Sequence, residues 1–165
     1  MIEYDIAFAR LGQFLPFLHI ASAAVFIGLQ LGLLIFGRYL LSNRCKSTDK
    51  VFLTIRFLRQ FGIFLIISLF VIVTSSFLFS NQDASLRSAD PMATAILATK
   101  WTLWLFLTLN LSYMFYHYKK ALAALKIREK ITLHESLVVI IIYFTPLNLI
   151  VSFIAVYLGV AYKDF

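Results

Sequence analysis

Four long apolar segments, separated by shorter polar stretches, run along the chain. They cover about residues 13–37, 57–79, 93–116 and 136–161. Each is long enough to cross the roughly 30 Å hydrocarbon core of a bilayer as an α-helix, which takes about 20 residues. The ten-residue alternation typical of membrane β-strands is not found. Because a helix in lipid satisfies its own backbone polar groups, the pattern predicts an all-α integral membrane four-helix bundle, a single domain over residues 1–165.

The composition points in the same direction. Hydrophobic residues make up 61% of the chain and charged residues 14%, against about 45–50% and about 25% in ordinary soluble domains. This excess of apolar side chains excludes a soluble enzyme, and it excludes disorder, which requires low hydrophobicity. Cys45 is the one cysteine, so a disulfide framework and a cysteine-rich metal site are also excluded.

The basic residues are concentrated in two of the loops and predict the topology. Eleven of the 15 Lys and Arg residues flank or occupy the first and third connections: Arg38, Arg44, Lys46, Lys50, Arg56, Arg59, Lys119, Lys120, Lys126, Arg128 and Lys130. The positive-inside rule then predicts cytoplasmic basic loops, with the N-terminus and the C-terminus outside, in the periplasm. The net charge of +7 is therefore a topology signal and a contact for anionic lipid rather than a nucleic-acid surface. The acidic leader and outer-loop charges are typical of a multi-pass protein of a bacterial inner membrane.

Three prolines mark positions along the predicted helices. Asp90-Pro91 is typical of an N-cap followed by the first helical residue and opens the third span. Pro16 is expected in the first turn of span one, where its missing N–H costs little. Pro146 lies within span four and predicts a kink about one turn earlier.

Small and polar residues predict where the helices touch. Gly28 and Gly32 form a small-xxx-small pair that would allow close approach of a neighbouring helix. Gln30 is expected to hydrogen-bond a neighbouring helix. The segment 121–130 is amphipathic and either extends span three or lies along the membrane face. Span four carries a stripe of small and polar residues that predicts a packing face: Thr145, Asn148, Ser152, Ala155 and Gly159.

His19 and Lys100 are the residues most out of place in lipid. Both lie about 10–13 Å below the predicted outer boundary, on spans that run in the same direction, so they are expected at equal height. A lysine within a span costs about 2.5–3.5 kcal/mol on insertion scales. Lys100 therefore either extends to the outer headgroups or serves as a ligand or anion-binding group in the bundle core.

Histidine 19 has two interpretations of its own. A neutral imidazole can hydrogen-bond a neighbouring helix, or it can ligate a metal or a haem iron. His117 lies ~25 Å deeper than Lys100 and, with His134, at the cytoplasmic boundary, so neither can share an iron with His19. These two histidines either form a second, inner site or are interfacial residues.

A set of short motifs resembles a known family. The chain has Leu18-His19-Ile20 early in span one, Lys100 early in span three, and Tyr116-His117 at the end of that span. A Pro-containing fourth span ends in Tyr162-Lys163-Asp164-Phe165. This arrangement resembles the HemJ-type protoporphyrinogen IX oxidase and the wider CopD-like superfamily of four-span membrane proteins. The chain departs from the family pattern at Phe26, where the family has tryptophan, and at Asp164, where it has proline.

The resemblance implies a haem-b-binding membrane redox protein, with His19 as the metal ligand. Lys100 would bind the cofactor as well, and would act as the catalytic residue of a protoporphyrinogen oxidase-like oxidoreductase with a tetrapyrrole substrate. One alternative is a CopD-like copper-handling protein, although Met1, Met92 and Met114 are few and dispersed for a copper path. Another is a non-catalytic accessory subunit of a homo-oligomer or larger membrane complex, with His19 and Lys100 as contacts between helices or subunits.

Overall fold

Long helices account for almost all of the structure. The computed structural model describes residues 2–42, 50–82 and 91–161. It contains α1 (Ile2–Leu41), α2 (Lys50–Gln82), α3 (Pro91–Lys126) and α4 (Lys130–Ala161). Within α4, a π-helical segment, Val139–Phe144, separates two α-helical segments, Lys130–Val138 and Thr145–Ala161. The predicted all-α four-helix membrane fold is confirmed.

The apolar composition of these helices places them in a lipid bilayer. All four are long enough to span it, and the mean hydropathy of their most apolar windows is between 1.4 and 2.5. Large apolar side chains also face outward, for example Phe17, Phe70 and Tyr157, which are 66%, 68% and 72% exposed. In water such a surface would be strongly unfavourable, whereas in hydrocarbon it costs nothing. The chain is therefore a multi-pass membrane protein.

The helices pack as two antiparallel pairs around one core. α1 packs along α2, α3 packs along α4, and α4 also lies against α1. The most deeply buried large side chains come from three helices: Leu33, Leu65, Ile140 and Ile141. In contrast, α2 and α3 contact each other only sparsely.

The helices are longer than the predicted spans. α1 begins at Ile2, so Pro16 lies in the interior of a helix and the prediction that it occupies a first turn is wrong. Hydropathy marks where lipid begins, whereas the hydrogen-bonded helix continues through the polar leader. α3 begins at Pro91 as predicted and continues to Lys126, so most of the amphipathic segment extends span three. Asp90 lies outside the described residues.

The irregular segment of α4 lies where Pro146 predicts a distortion. A proline lacks a backbone N–H, and its ring presses on the carbonyl of the residue four positions earlier, here Ile142. The helix widens to π-helical geometry over Val139–Phe144, directly before that proline. The hydroxyl of Thr145 donates a hydrogen bond of 2.8 Å to the Ile140 carbonyl. This bond gives one backbone carbonyl of the distorted segment a side-chain donor.

The glycines of α1 differ in how closely they are approached. An added Cβ at Gly37 would lie 2.6 Å from Ile141 Cγ2, and one at Gly32 would lie 3.0 Å from Phe61 Cε1. At Gly28 it would meet nothing within 4 Å. The prediction of a Gly28–Gly32 contact pair is therefore wrong for Gly28, and the close approach to α4 is at Gly37.

We expect Gly37→Ala to destabilise the bundle, while Gly28→Ala leaves it unchanged or slightly more stable. Ile141 is fully buried, and the atoms it presents to Gly37 are next to its branch point, so it cannot move away cheaply. Overpacking of this kind costs about 1–3 kcal/mol. Thermal unfolding of the two purified variants in detergent measures the difference. Equal unfolding temperatures for Gly37→Ala, Gly28→Ala and the original protein would show that α1 and α4 are not in close contact.

Candidate functional site

His19 is held by a side chain of the neighbouring helix. Its Nδ1 lies 2.9 Å from the hydroxyl oxygen of Ser75 on α2. Ser75 is only 2% exposed, so its hydroxyl is a fixed partner rather than a mobile surface group. The extensive packing of α1 along α2 brings these two residues, 56 positions apart in the chain, into contact.

The hydrogen bonds of Ser75 match the His19 tautomer that carries its proton on Nδ1. The Ser75 hydroxyl donates its hydrogen to the Ile72 carbonyl at 2.9 Å. Its oxygen can therefore act as a hydrogen-bond acceptor towards His19. In this tautomer the His19 ring donates from Nδ1–H to Ser75, and Nε2 keeps its lone pair. The backbone of Ile72 is a further hydrogen-bonding group beside the His19 ring. The bond to Ser75 is the contact with a neighbouring helix expected of a neutral imidazole, and the same arrangement is common among histidines that ligate a metal through the other nitrogen.

Lys100 lies close to the same place from the opposite pair of helices. It is half-buried on α3, and its ammonium lies within electrostatic range of the His19 ring. A Cβ at Gly159 would lie 3.9 Å from Lys100 Nζ, so the ammonium rests against the last turn of α4.

These contacts bring one residue from each helix to the same end of the bundle: His19 from α1, Ser75 from α2, Lys100 from α3 and Gly159 from α4. We call this group the His19 site. The depth of His19 and Lys100 could be read from the sequence, whereas the partnership of His19 with Ser75 could not. Ser75 is one of several serines in span two, and its position in the sequence does not distinguish it from the others.

A second group of polar residues lies deeper in the bundle and ties three helices together. Gln30 Nε2 donates to Ser152 Oγ at 3.1 Å, which confirms the expectation that Gln30 bonds a neighbouring helix. Asn110 Nδ2 donates to Asn148 Oδ1 at 2.9 Å, and Asn148 Nδ2 lies 3.2 Å from Met114 Sδ. These residues are all buried, and with the equally buried Thr145 they confirm the predicted packing face of span four at Thr145, Asn148 and Ser152, whereas Ala155 and Gly159 are only partly buried. Asn110 was not identified from the sequence.

The other two histidines lie in different environments. His117 is buried, with its ring 4.6 Å from that of Tyr113 and 5.6 Å from that of Tyr116. Neither of its ring nitrogens has a hydrogen-bond partner among the described residues. His134, in contrast, is exposed. Over residues 2–42, 50–82 and 91–161, no group of three or more His, Cys, Asp or Glu residues is placed to hold a metal ion.

The methionines and aromatic residues also have distinct surroundings. Met92 is 55% exposed, and the sulfur of Met114 is engaged by Asn148 in the core.

Trp101 packs edge-on against Trp104, whose Nε1–H is buried and has no hydrogen-bond partner among the described residues. Tyr157 faces outward, which is typical of a residue in an interfacial aromatic belt.

Comparison of the chain with protein-family models, with curated proteins and with solved structures gave no match. The resemblance to the HemJ-type and CopD-like proteins therefore remains a prediction, and so do the roles it implies for His19 and Lys100.

Proposed function

We propose that the protein binds haem b in the membrane and works as a redox protein, with His19 as an iron ligand and Lys100 as the cation of the same site. The observation that carries this proposal is the hydrogen bond from His19 Nδ1 to Ser75, because it leaves Nε2 with an available lone pair. Histidines that ligate metals usually donate their other ring N–H to a fixed acceptor, which sets both the tautomer and the ring orientation.

The position of Lys100 fits a cofactor or substrate that carries carboxylates. Its ammonium lies near His19 and against Gly159, where the absence of a side chain leaves space on α4. A charge-assisted hydrogen bond from an ammonium to a carboxylate is roughly twice as strong as a neutral one. We assign to Lys100 the binding of a tetrapyrrole carboxylate, either a propionate of the haem or a carboxylate of the substrate.

Bound haem would supply one-electron redox chemistry, and the protein would supply binding, orientation and electrostatics. In this scheme His19 binds the iron, and Ser75 holds the imidazole in position. Lys100 anchors the anionic edge of a tetrapyrrole that reaches the site from the bilayer, which is the role of a catalytic residue in a protoporphyrinogen oxidase-like enzyme. The distribution of basic residues favours a bacterial inner membrane with this site in the periplasmic half.

The visible absorption spectrum of the purified protein tests this proposal. We expect a Soret band in detergent-solubilised protein from haem-replete cells, and its shift on reduction with dithionite. A colourless protein that also fails to bind added haemin would contradict the proposal and would favour an accessory subunit, particularly if the chain purified as part of a larger complex. The surroundings of Met92 and Met114 give no support to a copper path.

A further inference from the structure

The sparse contact between α2 and α3 leaves an apolar groove on the lipid-facing side of the bundle. α2 lines it from Leu58 to Ile66, and α3 lines it from Leu111 to Tyr118. Leu33 of α1 and Ile140 of α4 form its floor. Gly62 leaves unfilled space on the α2 side of the groove, because a Cβ at this position would meet nothing within 4 Å.

The groove runs along the helices and is long enough to hold part of one acyl chain. From Arg59 to Ile66, α2 rises about 10 Å, and the stretch of α3 from Leu111 to Tyr118 rises by the same amount. Since the two helices are antiparallel, Arg59 and Tyr118 lie at one end of the groove and Ile66 and Leu111 at the other. Ten ångströms is about two thirds of one leaflet of a ~30 Å hydrocarbon core.

The polar end of the groove is positively charged. Arg59 is itself a lining residue and is exposed. Next to Tyr118, Lys119 places its ammonium 4.7 Å from the centroid of the ring of Phe115, another lining residue. The two cations thus belong to the two helices that border the groove, Arg59 on α2 and Lys119 on α3. An apolar slot with a cationic mouth is complementary to an acyl chain that carries an anionic headgroup.

We propose that this groove holds one anionic glycerophospholipid, with an acyl chain between α2 and α3 and its phosphate at Arg59 and Lys119. The lipid would fill the gap that the two helices leave and would connect the two antiparallel pairs of the bundle. This site is separate from the His19 site and does not depend on the function proposed for it.

Lipid titration of the purified full-length protein tests the proposal. Phosphatidylglycerol and phosphatidylcholine with identical acyl chains are added in detergent, and the bound lipids are counted by native mass spectrometry. We expect one molecule of phosphatidylglycerol to bind roughly 25-fold more tightly than phosphatidylcholine, because two cations each contribute about a fivefold preference. Equal affinities for the two lipids would overturn the proposal.

Two variants and their matched controls locate the site. Arg59→Gln is expected to reduce the preference for phosphatidylglycerol about fivefold. Arg56→Gln removes an exposed charge from the same helix outside the groove and is expected to leave that preference largely intact. Gly62→Trp fills the groove and is expected to weaken the binding of both lipids about tenfold or more. Ile67→Trp places the same side chain on the exposed surface beside the groove and is expected to leave the binding of both lipids unchanged. Equal effects of Arg59→Gln and Arg56→Gln, or unchanged lipid binding in Gly62→Trp, would contradict a site in this groove.

Discussion

Replacing His19 by alanine is expected to remove the haem absorption from the purified protein. Among the described residues of the His19 site, the imidazole is the candidate metal ligand, and its Nδ1 lies in hydrogen-bond contact with Ser75. Without it, the proposed haem would have no imidazole to hold it at the His19 site. The measurement is the ratio of the Soret absorbance to the protein absorbance at 280 nm, after purification from haem-replete cells.

Two further variants separate ligation from general disruption. Ser75→Ala keeps the imidazole but removes its fixed acceptor, and the loss of such a partner typically weakens metal binding by about 10- to 100-fold. We therefore expect weakened haem binding in Ser75→Ala, between the original protein and His19→Ala. His117→Ala is the histidine control, because this ring lies towards the opposite end of α3, beside Tyr113 and Tyr116. Full pigment in His19→Ala, or equal loss in His117→Ala, would contradict the assignment of the ligand.

The fold follows from the sequence because lipid imposes a simple rule. A segment of about 20 apolar residues has to be helical in a bilayer, so the number and the nature of the elements could be predicted. The ends of the helices could not, because a helix continues through polar residues once it has left the lipid. Pro16 shows this limit, since it lies within α1 rather than at its start.

Contacts between helices were predictable only in part, because they depend on the rotation of each helix about its axis. Depth along a span is set by counting residues, and this places His19 and Lys100 at one level. Which face of α2 meets α1 is a matter of packing, so neither the bond from His19 to Ser75 nor the role of Asn110 in the core could be predicted. For the same reason Gly28 looked equivalent to Gly32 in the sequence but lies in an open position in the structure.

Replacing Lys100 by methionine is expected to weaken tetrapyrrole binding without loss of stability. A hydrogen bond to a charged group contributes about 1.5–3 kcal/mol, so losing it lowers the affinity for a carboxylate-bearing tetrapyrrole by roughly 10- to 150-fold. The same substitution removes an ammonium whose burial within a span costs up to about 3.5 kcal/mol on insertion scales. The unfolding temperature should therefore stay constant or rise. Haemin titration and thermal unfolding of the same preparation measure the two effects.

The opposite directions of these two effects distinguish a binding role from a structural one. If Lys100 served mainly to hold α3 against the last turn of α4 near Gly159, its loss would lower the unfolding temperature, and tetrapyrrole binding would fall only as a consequence. Lys100→Arg keeps the positive charge at a similar reach and should retain part of the affinity, although its planar guanidinium presents its donors in a different geometry. Weak binding in Lys100→Met with partial recovery in Lys100→Arg, at an unchanged unfolding temperature, is the result expected of an anion-binding group. A fall in unfolding temperature in both variants, with haemin affinity unaltered once the protein is folded, would assign Lys100 to helix packing instead.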